Sequence, residues 1–203
     1  MNAALRSLKG ALCAAGPRRI EPSSCNPPVI VFTDGACEPQ GTSVGGILYV
    51  PGERIQAFGA MLSRKAVMCL ASKEHQEQVI GQAEILPVLI AKSIWGDKLR
   101  NRKVIYFIDN DSARLALIKG YSPVLASLLL IMTSAQQDAE LSSAPWYARV
   151  PTHSNPADEP SRMESTELRK KGALLVEPRL KGFNDWFADI LKMGAADPLP
   201  KKK

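Results

Sequence analysis

Short apolar runs rich in β-branched residues open the patterned part of the chain. Val29 to Thr33 follows two prolines and predicts a buried strand that Asp34 closes. Val44 to Val50 and Arg54 to Leu62 predict two more strands, with turn-forming residues between them. Because the links are short, we expect the three strands to form an antiparallel meander.

Helical spacing replaces this pattern from Ser72 to Trp95, where apolar residues recur every three or four positions. Pro87 lies inside that stretch and predicts a kink or a break in the helix. The elements expected after it are a strand at Lys103 to Ile108, helices at Ser112 to Lys119 and Pro123 to about Leu141, a strand at Trp146 to Val150, and a helical stretch from Asn155.

The resulting order is β-β-β-α-β-α-α-β-α. It predicts an α/β fold with a five-stranded mixed sheet, three strands antiparallel and the rest parallel, and helices on both faces. We assign this domain to residues 28–170. Residues 1–27 form a basic leader that we expect to be disordered, and residues 171–203 form a C-terminal helical extension with a basic tail.

Composition supports one globular domain with tails, since the chain has 203 residues of which 45% are hydrophobic. The longest apolar run, Val124 to Met132, is far shorter than the roughly 18–20 residues of a membrane span. A net charge of +6 favours a polyanion such as nucleic acid. Basic residues at both ends explain that excess equally well as solvated tails.

Two observations bear on metal chemistry and location. The four cysteines form no C-x-x-C pair and only two histidines accompany them, which argues against a zinc site and favours a reducing, intracellular compartment. Met1 to Ser24 is basic and acid-poor. It fits an organellar transit peptide, a disordered leader or the cut edge of a longer polyprotein, and the compartment stays open.

Acidic residues stand where a metal site would need them. Asp34 and Asp109 follow the first and fourth strands, and Glu84 lies mid-helix among apolar neighbours. Taken singly, each could be a turn, a helix cap or a solvent-facing residue. Brought together, buried carboxylates repel one another, and divalent cations relieve that cost. Oxygen ligands suit Mg²⁺ or Mn²⁺, and two such ions about 3.5–4 Å apart are the usual apparatus of phosphodiester cleavage.

Local motifs around these acids are similar to those of a known family. Thr33-Asp34-Gly35-Ala36, followed by Gly45-Gly46-Ile47-Leu48, resembles the first hairpin of ribonuclease H domains. Ile108 to Ala113 resembles their third-acid segment, and Glu84 matches the second acid by position. Val150 to Arg162, with Asn155-Pro156-Ala157-Asp158 at its centre, resembles the fourth-acid segment of reverse-transcriptase-associated ribonuclease H domains of retroelements. The resemblance spans about residues 28–170 and implies the ribonuclease H-like fold.

The resemblance also implies an activity, namely endonucleolytic cleavage of the RNA strand of RNA–DNA hybrids with two Mg²⁺ or Mn²⁺ ions. Asp34 and Asp109 would share the ions, and Glu84 would serve the leaving-group ion and contact a ribose 2′-hydroxyl. Asp158 would serve the ion that activates water. His153 and Asn155 are auxiliary candidates, although His153 lies closer to the fourth acid than the family's mobile histidine does.

One departure concerns substrate binding. Free-standing enzymes of this family often carry a basic, tryptophan-containing protrusion after the third acid, whereas Asp111 to Pro145 holds only Arg114 and Lys119 as cations. We therefore expect weak autonomous binding and a protein partner such as a reverse transcriptase domain. A basic cluster could grip phosphates or simply line an exposed loop; it comprises Lys98, Arg100, Arg102 and Lys103.

Other classes fit less well. Proofreading exonucleases carry Asp-x-Glu on the first strand, where this chain has Ala36, and integrases place the glutamate last rather than second. No G-x-S-x-G elbow or phosphate-binding P-loop occurs. The alternative that stays open is a catalytically inactive module of the same fold that binds nucleic acid or a protein.

Overall fold

The computed structural model describes residues 27–71 and 79–178, and a mixed sheet lies at the centre of this part of the chain. The strands are β1 (Val29–Glu38), β2 (Gly41–Tyr49), β3 (Gln56–Met61), β4 (Lys103–Ile108), β5 (Ala144–Arg149) and β6 (Leu174–Leu175). The helices are α1 (Arg64–Leu70), α2 (Ile80–Leu99), α3 (Asp111–Lys119), α4 (Leu125–Leu141), α5 (Asp158–Ser161) and α6 (Thr166–Lys170), with a 3-10 turn at Thr152–Ser154.

The strands follow the order β5-β4-β1-β2-β3-β6 across the sheet. β1, β2 and β3 pair antiparallel as a meander, whereas β1 pairs parallel with β4 and β4 parallel with β5. The mixed sheet predicted from the sequence is therefore confirmed. The parallel strands are joined by helical crossovers, as parallel pairing requires.

Both faces of the sheet are covered, as predicted. On one face a large core forms around α2, with Val29 and Val31 of β1 packed against it. On the other face a smaller cluster joins Ile47 of β2 to Leu168 of α6, with Phe32 at its edge. Alternate residues of β1 thus point to opposite faces, which is the ordinary consequence of strand geometry.

Helix α2 runs through Pro87 without interruption, so of the predicted kink or break the break is wrong and the kink stays a prediction. Proline has no N–H and leaves the carbonyl of Ala83 without its usual helical donor. The helix persists because Pro87 and most of its neighbours are buried, and tertiary packing stabilises helices more than propensity does. The described helix begins at Ile80, and residues 72–78 of the predicted helix lie outside the described residues.

Two further elements were not predicted. Helix α1 begins where the Ser63 hydroxyl accepts a hydrogen bond from the Ala66 N–H at 3.2 Å. Strand β6 pairs parallel with β3, through Gln56 with Leu174, and raises the strand number from the predicted five to six. It comes from the stretch assigned to the C-terminal extension, and two residues are too few to give a periodic signal.

The predicted leader, apart from residue 27, and residues 179–203 lie outside the described residues. Among the helices that the structure describes, none combines the length and the apolar character needed to cross a membrane.

Candidate metal centre

Three of the predicted acids converge. Asp34 on β1, Glu84 on α2 and Asp109 after β4 each bring a carboxylate oxygen to within 4.8 Å of the other two. Asp34 and Glu84 are each 5% exposed, and Asp109 is half-buried. Such a cluster of oxygen ligands is of the kind that hard divalent cations prefer.

Strand register brings the two aspartates together. The parallel pairing of β1 with β4 ends at Phe32 opposite Phe107, and each aspartate lies two residues further along its strand direction. Asp34 does not close β1 as predicted, because β1 continues to Glu38 in its hairpin with β2. It lies where β1 parts from β4, which is the point where a cleft opens at the carboxyl end of a parallel pair.

Asp109 does not cap the helix that follows it. The side chain of Asn110 takes that role by accepting a hydrogen bond from the Ala113 N–H at 3.0 Å. Asp111 lies on the surface and pairs with Arg114 and Arg149 at 2.7 and 3.1 Å. The helix-cap interpretation of Asp109 is therefore unnecessary, and its carboxylate faces the cluster instead.

Glu84 is held by close packing of α2 on β1. A Cβ atom at Gly35 would lie 2.4 Å from the carbonyl oxygen of Ala83, so only glycine permits this approach. The Gly35 N–H in turn donates a hydrogen bond to the Glu84 carboxylate. The solvent-facing interpretation of Glu84 is excluded, because its side chain is buried and its carboxylate lies with those of Asp34 and Asp109.

Among the described residues, no cation forms an ion pair with the three carboxylates, although the charge of Arg162 lowers the pKa of Asp34 in part. Burial, followed by repulsion from Asp34 and Asp109, raises the pKa of Glu84 to about 9. Burial also raises the pKa of Asp34 to about 6, although a hydrogen bond from Ser161 opposes that shift. Glu84 Oε2 and Asp109 Oδ1 are buried and have no hydrogen-bond partner within residues 27–71 and 79–178. Buried acceptor oxygens in this state fit a divalent cation, which would supply both partner and countercharge.

This electrostatic state predicts a pH dependence of stability. In the metal-free protein, folded Glu84 keeps its proton up to pH about 9, whereas the unfolded chain loses it near the ordinary value of 4.5. The unfolded state thus binds fewer protons across that window, so the free energy of unfolding falls as pH rises. Denaturant titrations from pH 5 to pH 9 should show the fall for the metal-free protein and a flatter profile for Glu84→Gln.

Saturating Mn²⁺ should reverse the trend in the wild type, because a cation binds the ionised carboxylates. Parallel profiles for the wild type and Glu84→Gln would show that Glu84 ionises normally and would contradict the electrostatic picture.

Asp158 lies beside the cluster but is not one of the three mutually close carboxylates. Its charge contributes to the raised pKa of Asp34, which places it nearby. Its Oδ1 accepts a hydrogen bond from Arg162 Nε at 2.9 Å, and Arg162 also pairs with Glu38 at the end of β1. Asp158, the fourth predicted acid, is thus paired with Arg162 one helical turn further along the chain.

The two auxiliary candidates differ in placement. His153 is exposed on the 3-10 turn. Asn155 is buried, and its Nδ2 donates to the Thr33 carbonyl at 3.2 Å while its Oδ1 accepts from the Ala157 N–H at 3.2 Å. Asn155 therefore ties the Asp158 segment to the residue that precedes Asp34.

The predicted basic cluster stands at the opposite end of β4 from the acids. Lys103 begins β4, and Asp109 follows its last residue, so the two are about 20 Å apart along the strand. Lys98 pairs with Glu53, Arg100 donates to the Glu140 carbonyl at 3.0 Å, and Arg102 donates to the Pro27 carbonyl at 2.9 Å. A role for these residues in gripping phosphates beside the acids stays a prediction.

Ser161, which donates a hydrogen bond to Asp34 Oδ2, and Arg162 were not predicted as site residues from the sequence. Both belong to the motif that contains Asp158, so their proximity to the fourth acid was the available signal. Gly35 follows Asp34 in the chain and Gly45 is its cross-strand neighbour, and only the packing shows why both are glycines.

Comparison with solved structures places the fold. Ribonuclease H1 from the halophilic archaeon Halobacterium salinarum NRC-1 matches over 70% of this chain and 99% of that chain, with a TM-score of 0.53 and 16% identity. LC11-RNase H1, isolated from compost by a metagenomic approach, matches over 70% and 98%, with a TM-score of 0.51 and 18% identity. No family model and no curated protein matches the chain. At these identities the likeness shows the fold, and the ribonuclease H-like fold predicted from the sequence is confirmed.

Proposed function

We propose that this protein is a divalent-metal-dependent endonuclease that cleaves the RNA strand of RNA–DNA hybrids. The observation that carries the proposal is the convergence of Asp34, Glu84 and Asp109 within 4.8 Å on a ribonuclease H-like fold. The buried oxygens of Glu84 and Asp109 that lack a partner support a cation there. Both of the solved structures described above are named as RNase H1 proteins, which supports this substrate class.

The proposed ligands are Asp34, Glu84, Asp109 and Asp158, holding two Mg²⁺ or Mn²⁺ ions. When bound, such ions lower the pKa of water, so that it attacks phosphorus, and stabilise the departing 3′-oxygen. Once substrate is bound, the Asp158 carboxylate would give up its hydrogen bond with Arg162 and turn toward the ions. Half-buried Asp109 and the more exposed Asp158 mark the side from which a phosphodiester would approach.

The protein's own contribution is to hold the ligands in place and to select RNA. Glu84 is fixed by the Gly35 N–H and by the packing of α2, so its carboxylate needs no large rearrangement on binding. We assign to it the contact with the ribose 2′-hydroxyl, the group that separates RNA from DNA.

The finer assignment is to the reverse-transcriptase-associated type found in retroelements. It rests on the segment from Val150 to Arg162, in which Asn155 and Ser161 both contact β1 residues at the site. The shortage of cations between Asp111 and Pro145 supports a protein partner, such as a reverse transcriptase domain, that would share in binding the hybrid.

The test is a panel of end-labelled duplexes, RNA–DNA, RNA–RNA and DNA–DNA, incubated with the pure full-length chain and Mg²⁺ or Mn²⁺. We expect internal cuts in the RNA strand of the hybrid, with 5′-phosphate and 3′-hydroxyl ends, and no cleavage once the metal is chelated. Cleavage of all three duplexes alike would contradict the assigned specificity.

The pairing of Asp158 with Arg162 favours a second candidate, a catalytically inactive module of the same fold. Such a module would bind the hybrid or a protein without cutting RNA. Hybrid binding with no cleavage, even with a reverse transcriptase domain added, would support it over the enzyme.

A further inference from the structure

The short helix α5 lies directly on the backbone of the sheet beside the acids. A Cβ atom at Gly45 would lie 2.3 Å from the Ser161 amide nitrogen, and one at Gly59 would lie 2.3 Å from the Pro160 carbonyl oxygen. These two glycines form a glycine platform on β2 and β3. Because the contact is between backbones, α5 has little freedom to slide over β2 and β3.

Hydrogen bonds fix α5 on the glycine platform. The hydroxyl of Ser43 on β2 donates to the Ser161 carbonyl at 2.5 Å. Asn155, just before α5, donates to the Thr33 carbonyl on β1. The backbone of α5 is therefore held on the sheet by the contacts at Gly45 and Gly59 as well as by these hydrogen bonds.

The hydroxyl of Ser161 is aimed at the metal centre. It is fully buried and donates a hydrogen bond to Asp34 Oδ2, and it lies 2.9 Å from the Asp158 carbonyl. A hydroxyl has one proton, and an ionised carboxylate is the stronger acceptor of the two. With Oδ2 accepting this bond, the carboxylate plane is fixed and Oδ1 keeps both of its lone pairs for a cation.

We propose that Ser161 is a positioning residue for the metal centre, which orients the Asp34 carboxylate through the hydrogen bond to Oδ2 before a cation binds. The inference rests on the proposed function, because it presumes that Asp34 is a metal ligand. Hydrogen-bond partners of this kind orient ligating carboxylates, and losing one typically weakens metal affinity roughly 10–100-fold.

Mn²⁺ binding to the full chain, followed by electron paramagnetic resonance, tests this without any turnover assay. We expect Ser161→Ala to raise the Mn²⁺ dissociation constant roughly 10–100-fold. Ser43→Ala is the matched control, since it removes a hydroxyl that fixes α5 but does not touch Asp34. Its dissociation constant should stay close to that of the wild type, whatever the change in thermal stability, because the backbone contacts at Gly45 and Gly59 still hold α5.

Each outcome decides a different point. Wild-type affinity in a folded Ser161→Ala would overturn the positioning role while leaving the metal site intact. Equal weakening in Ser161→Ala and Ser43→Ala would overturn it too, because docking of α5 alone would then explain the effect. No Mn²⁺ binding by the wild type would overturn the proposed function itself. If Ser161→Ala does not fold, Ser161→Cys keeps the side-chain volume with a weaker donor and is judged by the same results.

Discussion

Asp109→Asn should abolish hybrid cleavage while leaving the protein folded. The change removes one of the three carboxylates proposed to share the cation and substitutes an amide of nearly equal size. We expect a loss of more than about 100-fold, since outer-shell changes around a metal already cost up to that amount. Removing a repelling charge should keep the free energy of unfolding of the metal-free protein equal or raise it.

Asp111→Asn supplies the matched control two residues away. It makes the same chemical change on an exposed carboxylate that pairs with Arg114 and Arg149. Surface pairs of this kind contribute little, and cleavage should stay within about twofold of the wild type. Equal rates of hybrid cleavage by the Asp109→Asn and wild-type proteins would show that the acidic cluster does not take part in cleavage.

The second large effect is on the free energy of unfolding and concerns a buried polar network between α2 and α4. Lys92 of α2 is fully buried, and its Nζ donates to Asp138 Oδ2 at 2.6 Å and to Ser134 Oγ at 2.7 Å. It also lies 5.3 Å from the centre of the Tyr106 ring. Asp138 Oδ1 accepts from the Ser143 hydroxyl at 2.8 Å, so both charges are paired and hydrogen-bonded. The network joins α2 to α4.

Lys92→Met should therefore lower the free energy of unfolding by about 3–5 kcal/mol, because it leaves the Asp138 charge buried without its partner. Lys98→Met is the control on the same helix, where an exposed pair with Glu53 contributes at most about 1 kcal/mol. Urea denaturation measures both.

The double variant Lys92→Met, Asp138→Leu distinguishes charge from packing. Replacing both charges by apolar side chains should recover much of the loss. A loss of under about 1 kcal/mol in the single Lys92→Met variant would show that Asp138 takes up a proton or another partner at little cost.

The central strands and three of the acids were predictable because local patterns and global packing agree there. The apolar runs at β1 and β4 are bounded by Asp34 and Asp109, and the parallel register brings those two residues level. Glu84 is flanked by apolar residues on a helix that must cross between the parallel strands, so its burial followed from its neighbours.

The remaining features depend on contacts between distant residues, which a single sequence does not display. Strand β6 forms by pairing with β3. Pro87 stays helical because it and most of its neighbours are buried. Ser161 reaches Asp34 across 127 positions of the chain, over glycines whose purpose is visible only in the packing. Asp158 was predicted as a ligand from its motif, whereas its pairing with Arg162 depends on the geometry of the helical turn.

The most direct test of the metal centre is the position of Mn²⁺ in crystals of the protein, located by anomalous diffraction. We expect a peak within coordination distance, about 2.0–2.6 Å, of carboxylate oxygens from Asp34, Glu84 and Asp109. Crystals grown at saturating Mn²⁺ that show no anomalous density among these three carboxylates would contradict it.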